Sequence, residues 1–204
     1  MMTASERFIR TIVDGDAAQV RSQLRSAPAL ATQVCRRGAT RQHPEHFFRQ
    51  IAHYMYEGDT PLHMAAAAFQ RDIALWLIRC GADVRARNRR GAEPLHYAAD
   101  ANHWNPAAQA ATIAGLLAAG ADANALDKSG VAPLHRAVRT RCAAAVKALL
   151  DGGADPTLTN GHGSTPLDLA SRTTGRGGSG TLRAREQQLA IRRLLEQRLT
   201  ADVG

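Results

Sequence analysis

The chain has 204 residues, of which 45% are hydrophobic and 4% aromatic, and a formal net charge of +8 at pH 7. The apolar share excludes wholesale disorder, and the length suits one or two compact domains or one elongated repeat array. The charge is carried almost wholly by arginine and favours an acidic partner, whether a protein patch, nucleic acid or a membrane surface.

The N-terminal segment contains no apolar run long enough for a secretory signal, because Glu6, Asp14 and Asp16 interrupt it. No window holds about 18 consecutive apolar residues, so we expect no membrane-spanning helix. The three cysteines lie far apart and outside any paired motif, which is typical of reduced thiols. These features predict a cytoplasmic protein.

Residues 36–57 differ in composition from the regular sequence that follows them. Pro44 and Glu45 suit a helix start and predict a short helix from about Pro44 to His53. Four aromatic side chains gather here: Phe47, Phe48, Tyr54 and Tyr56. Aromatic residues dominate binding hot spots. The alternative is that Phe47 or Phe48 packs this segment onto its neighbour, while Tyr56 is exposed.

The same segment carries His43, Glu45, His46 and His53, which are suitable ligand types for zinc. Their spacing matches no fixed metal-ligand pattern, so the sequence predicts neither a metal site nor a cofactor. A zinc titration that leaves the thermal stability and spectra unchanged would dismiss a site here.

Two tripeptides recur in phase along the rest of the chain. PLH begins at Pro61, Pro94 and Pro133, and PLD begins at Pro166, with spacings of 33, 39 and 33 residues. GAD recurs at Gly81, Gly120 and Gly153, spaced by 39 and 33 residues. Seven matches in register indicate an internal repeat.

The sequence of each copy predicts two helices. Thr60 before Pro61 and Thr165 before Pro166 predict an N-cap followed by proline at the first helical position. A second helix with an apolar stripe follows and ends at the glycine of GAD. Glu93 and Ala132 replace the capping threonine in two copies, at a cost of about 1 kcal/mol each. No copy can bury its own apolar face, so the copies must stack.

In this register the sequence resembles the ankyrin repeat family. Residues 58–90 and 130–162 fit its 33-residue pattern nearly end to end, and 91–129 fits with six extra residues. Residues 163–204 hold a degenerate copy, and 1–57 an atypical capping repeat that includes the 36–57 insertion. The resemblance implies an all-α, monomeric solenoid of about five helix-turn-helix repeats with short inter-repeat β-hairpins. The abundance of arginine and alanine is typical of a GC-rich bacterial genome.

His63, His96 and His135 occupy the same repeat position, and Asp168 is their counterpart in the last copy. Metal ligands or catalytic groups must converge on one point, whereas repeat-equivalent residues form a row. We therefore expect these side chains to form local hydrogen bonds that connect one repeat to the next.

Arg85, Arg87, Arg89 and Arg90 lie in one inter-repeat turn, with no acidic residue between them and Glu93. A run of charged residues usually does no more than face the solvent. Four arginines in one turn, however, predict a local positive surface suited to binding carboxylates or phosphates.

The glycine-rich stretch at 171–181 fails two catalytic patterns. Its last glycine is not followed by the Lys-Ser/Thr pair of a phosphate loop, and Thr181 stands where a nucleophile elbow needs glycine. We read it as an expanded loop before an amphipathic capping helix, Leu182 to Leu199. Whether Arg176 or the helix start near Thr181 also meets an anion remains open.

The family resemblance implies a non-enzymatic module that binds a partner protein on its concave face, and the basic surface suggests an acidic patch beside an apolar anchor on that partner. Nucleic-acid binding is the alternative, and a nucleotide-dependent enzyme using the glycine-rich loop a remote one. The family's variable positions correspond here to Tyr56, Asp59, Met64, Arg89, Arg90, Tyr97, Asp100, Lys128, Arg136, Arg139, His162 and Arg172.

Overall fold

The computed structural model describes residues 4–36, 38–39, 47–100, 103–172 and 181–201. Their helices are α1 (Ala4–Val13), α2 (Ala17–Ser26), α3 (Pro61–Ala67), α4 (Arg71–Arg79), α5 (Pro94–Ala99), α6 (Pro106–Ala118), α7 (Pro133–Arg139), α8 (Ala143–Asp151), α9 (Pro166–Ser171) and α10 (Leu182–Ala201). A 3-10 turn, Pro28–Thr32, follows α2. The fold is thus the all-α solenoid that the repeat pattern predicts.

The helices form two layers. The first helices of successive repeats pack in a row, α1 on α3, α3 on α5, α5 on α7 and α7 on α9. The second helices form a parallel row from α2 through α4, α6 and α8 to α10. Alanines of α3 are fully buried because they let the neighbouring helices approach closely, while Leu77, Leu116 and Leu149 of the second layer fill the space between the rows.

Local sequence sets the helix ends. The backbone N–H of His63 donates to Thr60 Oγ1 at 3.4 Å, and Pro61 occupies the first helical position. Gly81 has φ of +93°, and its successor Ala82 donates to Leu77 O, so the chain leaves α4 through a left-handed residue. At the far end, α10 spans the predicted capping helix and buries Ile191 and Leu195 against the last repeat.

The insertion is a hairpin over the residues described, so the helix predicted from Pro44 to His53 is wrong for 47–53. Strand β1 (Phe47–Phe48) pairs antiparallel with β2 (His53–Tyr54), in the register Phe47 to Tyr54 and Phe48 to His53. Between them Arg49–Ile51 forms a 3-10 turn that ends at Ala52, which is left-handed with φ of 46°. We call residues 47–54 the insertion hairpin.

Burial explains the difference. Phe48 is 7% exposed and Phe47 37% exposed, the in-and-out alternation of a strand. Phe48, Ile51 and Met55 are all buried, and their spacing imitates a helical stripe although a turn separates them. Phe48 therefore packs on the core, as one alternative expected, whereas Tyr56 is half-buried rather than exposed. Residues 40–46, including His43, Glu45 and His46, lie outside the described residues.

The inter-repeat turns are hairpin-like but short. The residue at one repeat position opens each turn and takes part in two backbone hydrogen bonds. Its N–H donates across the turn at 2.9–3.1 Å, from Asn88 to Ala92 O, from Asp127 to Val131 O and from Asn160 to Ser164 O. Its carbonyl accepts at 2.8–2.9 Å from the N–H of Gly91, Gly130 and Gly163, respectively. In the described part of the chain none of these turns extends into a strand ladder. Adjacent turns are joined to one another by Arg89 N to Glu57 O, Lys128 N to Arg90 O and Gly161 N to Ser129 O. We call this connected series of turns the tip row.

Candidate partner-binding surface

The repeated histidines connect successive repeats. His63 Nδ1 accepts from Thr60 N at 3.1 Å, which makes Nε2 the donor to Ala92 O, also at 3.1 Å. His96 makes the same pair of contacts: its Nδ1 accepts from Glu93 N, and its Nε2 contacts Val131 O. In His135, Nδ1 accepts from Ala132 N and Nε2 contacts Ser164 O. Helices α5 and α7 thus keep the imidazole half of the capping box, although Glu93 and Ala132 supply no threonine hydroxyl for the other half.

Burial keeps these rings neutral. Desolvation lowers the pKa of His63 and His135 below the ordinary value, and it lowers the pKa of His96 to about 4. Asp168 takes the fourth position and accepts from Thr165 N at 2.8 Å. The four side chains form a row and do not converge on a ligand.

Asp59 and Tyr97 belong to a buried polar network and not to an exposed surface, which corrects the family-based assignment of both. Asp59 is 1% exposed and accepts from Tyr56 N at 2.6 Å, Asn88 Nδ2 at 2.8 Å and the Tyr97 hydroxyl at 2.8 Å. Desolvation raises the pKa of Tyr97 well above its ordinary value, and the Asp59 carboxylate adds to the shift. The hydroxyl therefore stays a donor.

Arg136 and Asp100 are also buried, contrary to the same assignment. The Arg136 guanidinium forks between two carboxylates, with Nη1 2.7 Å from Asp100 Oδ2 and Nη2 2.8 Å from Asp127 Oδ2. Arg139 lies further out, with Nη2 3.9 Å from Asp100 Oδ1. The internal ion pairs take up the charge of Arg136, so its main role is to join α7 to α5 and to the tip row.

Met64 is fully buried, so its place among the surface residues is also wrong. It lies on α3, which is flanked by α1 and α5, so the side chain faces the packing between repeats. Of the family-based positions, six are exposed: Arg89, Arg90, Lys128, Arg139, His162 and Arg172.

The arginine-rich turn is less positive than its sequence indicates. Arg85 pairs with Asp122 at 2.8 Å, Arg87 with Glu93 at 3.6 Å, and Arg89 with Glu57 at 3.5 Å. Glu93 follows the arginines in the same turn, whereas Asp122 and Glu57 come from other turns, which the local sequence could not show. Arg90 has no carboxylate partner in the described part of the chain, and its guanidinium lies 5.4 Å from the Tyr56 ring centroid.

A cleft of about 310 Å³ opens beside Arg90, between the insertion hairpin and helices α5 and α7. Its lining combines aromatic rings with guanidinium groups: Ala52, His53, Tyr54, Tyr56, Asn88, Arg90, Ala92, Tyr97, Asp100, Arg136 and Arg139. The His53 ring packs edge-on against Tyr97, with centroids 4.6 Å apart. The Tyr54 ring contacts the Phe47 ring at the same centroid distance, with the two planes tilted by 47°. Sequence reasoning found many of these residues but not the cleft that they form.

A larger groove of about 700 Å³ runs between α6 and α8. Its wall is mostly alanine, and its two charged residues, Lys147 and Asp151, pair with each other at 2.7 Å. Such a groove offers few polar groups to orient a ligand.

Neither a metal site nor a membrane-spanning helix is present among the described residues. Within these ranges, no three His, Cys, Asp or Glu side chains are placed to hold a metal ion. None of the described helices combines the length and apolar character needed to cross a bilayer.

Comparison with known proteins identifies the family. Residues 35–107 match a family model described as ankyrin repeats (3 copies), and residues 116–170 match one described as ankyrin repeats (many copies). The chain belongs to the ankyrin repeat family. Ankyrin repeats are generally protein–protein interaction modules and typically non-enzymatic.

This ankyrin repeat protein is also similar to a plant protein, the probable E3 ubiquitin-protein ligase XBOS33 of Oryza sativa subsp. japonica. The two are 33% identical over 101 residues, which is 50% of this chain and 16% of that protein. The chain thus matches only about a sixth of its relative's length.

Proposed function

We propose that the chain is a non-enzymatic module that binds a partner protein on the concave face of its solenoid. The observation that carries the proposal is that two adjacent turns of the tip row carry exposed cations, next to an insertion hairpin that carries exposed aromatic rings. Arg90 and Lys128 are exposed and lack carboxylate partners in the described residues, and their turns are joined by the 3.0 Å bond from Lys128 N to Arg90 O. A partner with an acidic patch complements them.

The apolar part of the surface comes from the insertion. Phe47 and Tyr54 are each 37% exposed, and their rings contact one another at the outer side of the insertion hairpin. Aromatic and arginine side chains are enriched at the energetic centre of protein interfaces. The partner surface that fits is an apolar group beside carboxylates.

The turns hold these groups at fixed spacing. Asn88 Oδ1 accepts from Arg90 N and Ala92 N, and Asp127 Oδ1 accepts from Ser129 N and Val131 N. A surface ordered before binding loses less conformational entropy on association. Binding by a preformed surface needs no bond chemistry.

To test the proposal, a partner is captured from the native host and identified, and its affinity for the chain is measured. The charge-reversed pair Arg90→Glu and Lys128→Glu should weaken binding of the identified partner by at least about tenfold, which is about 1.4 kcal/mol. The matched control is Arg25→Glu with Arg79→Glu, which makes the same net change on the exposed sides of α2 and α4. Equal loss in both pairs, or loss in neither, would reject the proposed face.

Nucleic-acid binding is not proposed, because three of the four arginines in the 85–90 turn already pair with carboxylates. Random duplex DNA is the discriminating probe. Phosphate-backbone binding would appear as an affinity that falls steeply as the salt concentration rises.

Enzymatic activity is not proposed either. Residues 173–180 of the glycine-rich loop, including Arg176, lie outside the described residues. At its end, Thr181 Oγ1 accepts from Ala184 N at 3.2 Å and caps α10. Because the match covers only 16% of the rice ligase, ubiquitin transfer is not inferred for this chain. A melting scan with ATP and GTP should show no stabilisation.

A further inference from the structure

The insertion hairpin lies across the row of first helices. At one end it reaches the residue that directly follows α1, where Gln50 Nε2 donates to Asp14 Oδ1 at 3.2 Å. At the other end it reaches α5, where the His53 ring lies edge-on to the Tyr97 ring with centroids 4.6 Å apart. Because α3 packs between α1 and α5, the hairpin bridges α3.

Burial of the first helices follows from this cover. Helix α3 is flanked by α1 and α5, backed by α4 and bridged by the hairpin, and all of its residues, Pro61–Ala67, are buried. The repeat position after PLH or PLD shows how far the cover extends. Tyr97 is 2% exposed, Arg136, which lines the cleft at the edge of the hairpin, is 8% exposed, and Leu169 on α9 is half-buried.

The hairpin has an inner and an outer side. Phe48 and Ile51 are buried and belong to the same core cluster as the residues of α3. The Arg10 guanidinium of α1 lies 5.7 Å from the Phe48 ring centroid, so the inner side is anchored on the first helices. Phe47 and Tyr54 lie on the other side and are exposed.

The outer side continues into the tip row. The ring centroids of Phe47 and Tyr54 are 4.6 Å apart, and those of Tyr54 and Tyr56 are 6.3 Å apart. The Arg90 guanidinium lies 5.4 Å from the Tyr56 centroid. Between the hairpin and helices α5 and α7 only the cleft of about 310 Å³ is left, which is far too small for a helix. A partner therefore meets a row of rings that ends at an arginine, and not an open groove.

We propose that the insertion hairpin determines which partner this chain binds. It fills the side of the solenoid over α3 and α5, and its outer side replaces the first helices as the surface that recognises the partner. The inference rests on the proposed function and names the part of the surface that selects the partner. The partner that fits presents a flat patch, in which an apolar group meets the rings and a carboxylate meets Arg90. A partner that inserts a helix against α3 and α5 has no room to bind.

The first measurement needs no partner. Hydroxyl-radical footprinting of the full chain, read by mass spectrometry, reports the exposure of the Tyr97 side chain. Phe48→Ala removes the inner anchor of the hairpin, so oxidation of Tyr97 should rise several-fold. The matched control is Phe47→Ala, which removes the neighbouring ring on the outer side and should leave Tyr97 as protected as in the unchanged chain.

The second measurement is the affinity for the partner, once it is identified. Phe48→Ala displaces the outer rings and Phe47→Ala removes one of them, so each should raise Kd at least about tenfold. Thermal melting shows whether each variant keeps the fold. If Phe48→Ala does not, His53→Ala takes its place in the footprinting, because it removes the ring that packs on Tyr97.

The outcomes separate this inference from the proposed function. Continued protection of Tyr97 when the hairpin is loosened would show that the hairpin does not cover α5. An unchanged Kd for Phe47→Ala would show that the outer side is not recognised, and a lower Kd for Phe48→Ala would show that the hairpin obstructs the partner. Each of these results overturns the inference, whereas the Arg90→Glu, Lys128→Glu pair decides the proposed function independently.

Discussion

The Tyr97 hydroxyl lies 2.8 Å from Oδ1 and 2.9 Å from Oδ2 of Asp59, a residue 38 positions earlier. Asp59 lies at the start of the first full repeat, and Tyr97 lies on the first helix of the next repeat. The pair therefore connects these two repeats through a buried carboxylate, and the Tyr97 side chain lines the cleft.

Replacing Tyr97 by phenylalanine removes this donor and leaves Asp59 buried with fewer hydrogen bonds. The free energy of unfolding should fall by about 1–3 kcal/mol, measured by urea denaturation. Tyr54→Phe is the control, because that hydroxyl lies on an exposed residue of the insertion hairpin, and its change should stay within about 0.5 kcal/mol. Equal effects of the two substitutions would contradict the assigned network.

Arg136→Met leaves Asp100 and Asp127 without their shared cation. Since the Arg136 side chain is only 10% exposed, the free energy of unfolding should fall by about 3–5 kcal/mol. Arg139→Met, at an exposed position on the same helix, should cost about 1 kcal/mol or less. A loss below about 1 kcal/mol for Arg136→Met would show that the fork contributes little.

Acidification should destabilise the fold through its buried histidines. Among the described residues, desolvation lowers the pKa of five: His53, His63, His96, His103 and His135. Because the pKa of each of these histidines is lower in the folded than in the unfolded chain, the unfolded chain takes up protons at a higher pH than the folded chain does. The stability that the neutral histidines contribute is therefore fully present above the unfolded pKa of 6.5, and it is lost as the pH falls below that value. For His96 the loss continues down to its folded pKa of about 4.

The measurement is the urea midpoint at about pH 7 and about pH 5.5. Each histidine that stays neutral in the fold should lower the free energy of unfolding by about 1.4 kcal/mol per pH unit. Burial raises the pKa of Glu93, which acts in the opposite direction, so the comparison is repeated with Glu93→Gln. His135→Gln should reduce the pH slope by about one proton, and an unchanged slope would refute the linkage.

A cation–π contact joins α10 to a repeat that is not its neighbour in sequence. The Arg183 guanidinium lies 3.7 Å from the Trp104 ring centroid, and Trp104 is 44% exposed. Arg183→Gln should lower the free energy of unfolding by about 0.5–1 kcal/mol. In a Trp76→Phe background, which leaves Trp104 as the remaining tryptophan, its emission should also change. Arg193→Gln, elsewhere on α10, should leave that emission unaltered.

Periodicity was sufficient to predict the stack of helices. The 33-residue spacing of PLH and the helix ends near Gly81 and Gly120 follow from local rules of capping, turn formation and apolar spacing. The same rules did not predict the structure of the insertion. Phe48 and Ile51 are spaced as on a helix, but a left-handed Ala52 and pairing with His53 and Tyr54 turn the segment into a hairpin.

The surface residues were predicted less well, for a related reason. Family position placed Tyr97, Asp100 and Arg136 on an exposed strip, but here their polar groups have partners in other repeats. The repeated Asn88, Asp127 and Asn160, whose side chains close the turns, were not singled out, although their common spacing before the PLH or PLD motif is visible in the sequence.

By itself the sequence determined the family, the helical repeats and the row of hydrogen-bonding histidines, because each depends on contacts within one repeat or between neighbours at a fixed spacing. The tertiary structure alone decided which charges are free. Arg85, Arg87 and Arg89 look alike beside Arg90, yet the carboxylates that neutralise the first three come from Asp122, Glu93 and Glu57. Charge pairing depends on distance in space, and stacking of the repeats sets that distance.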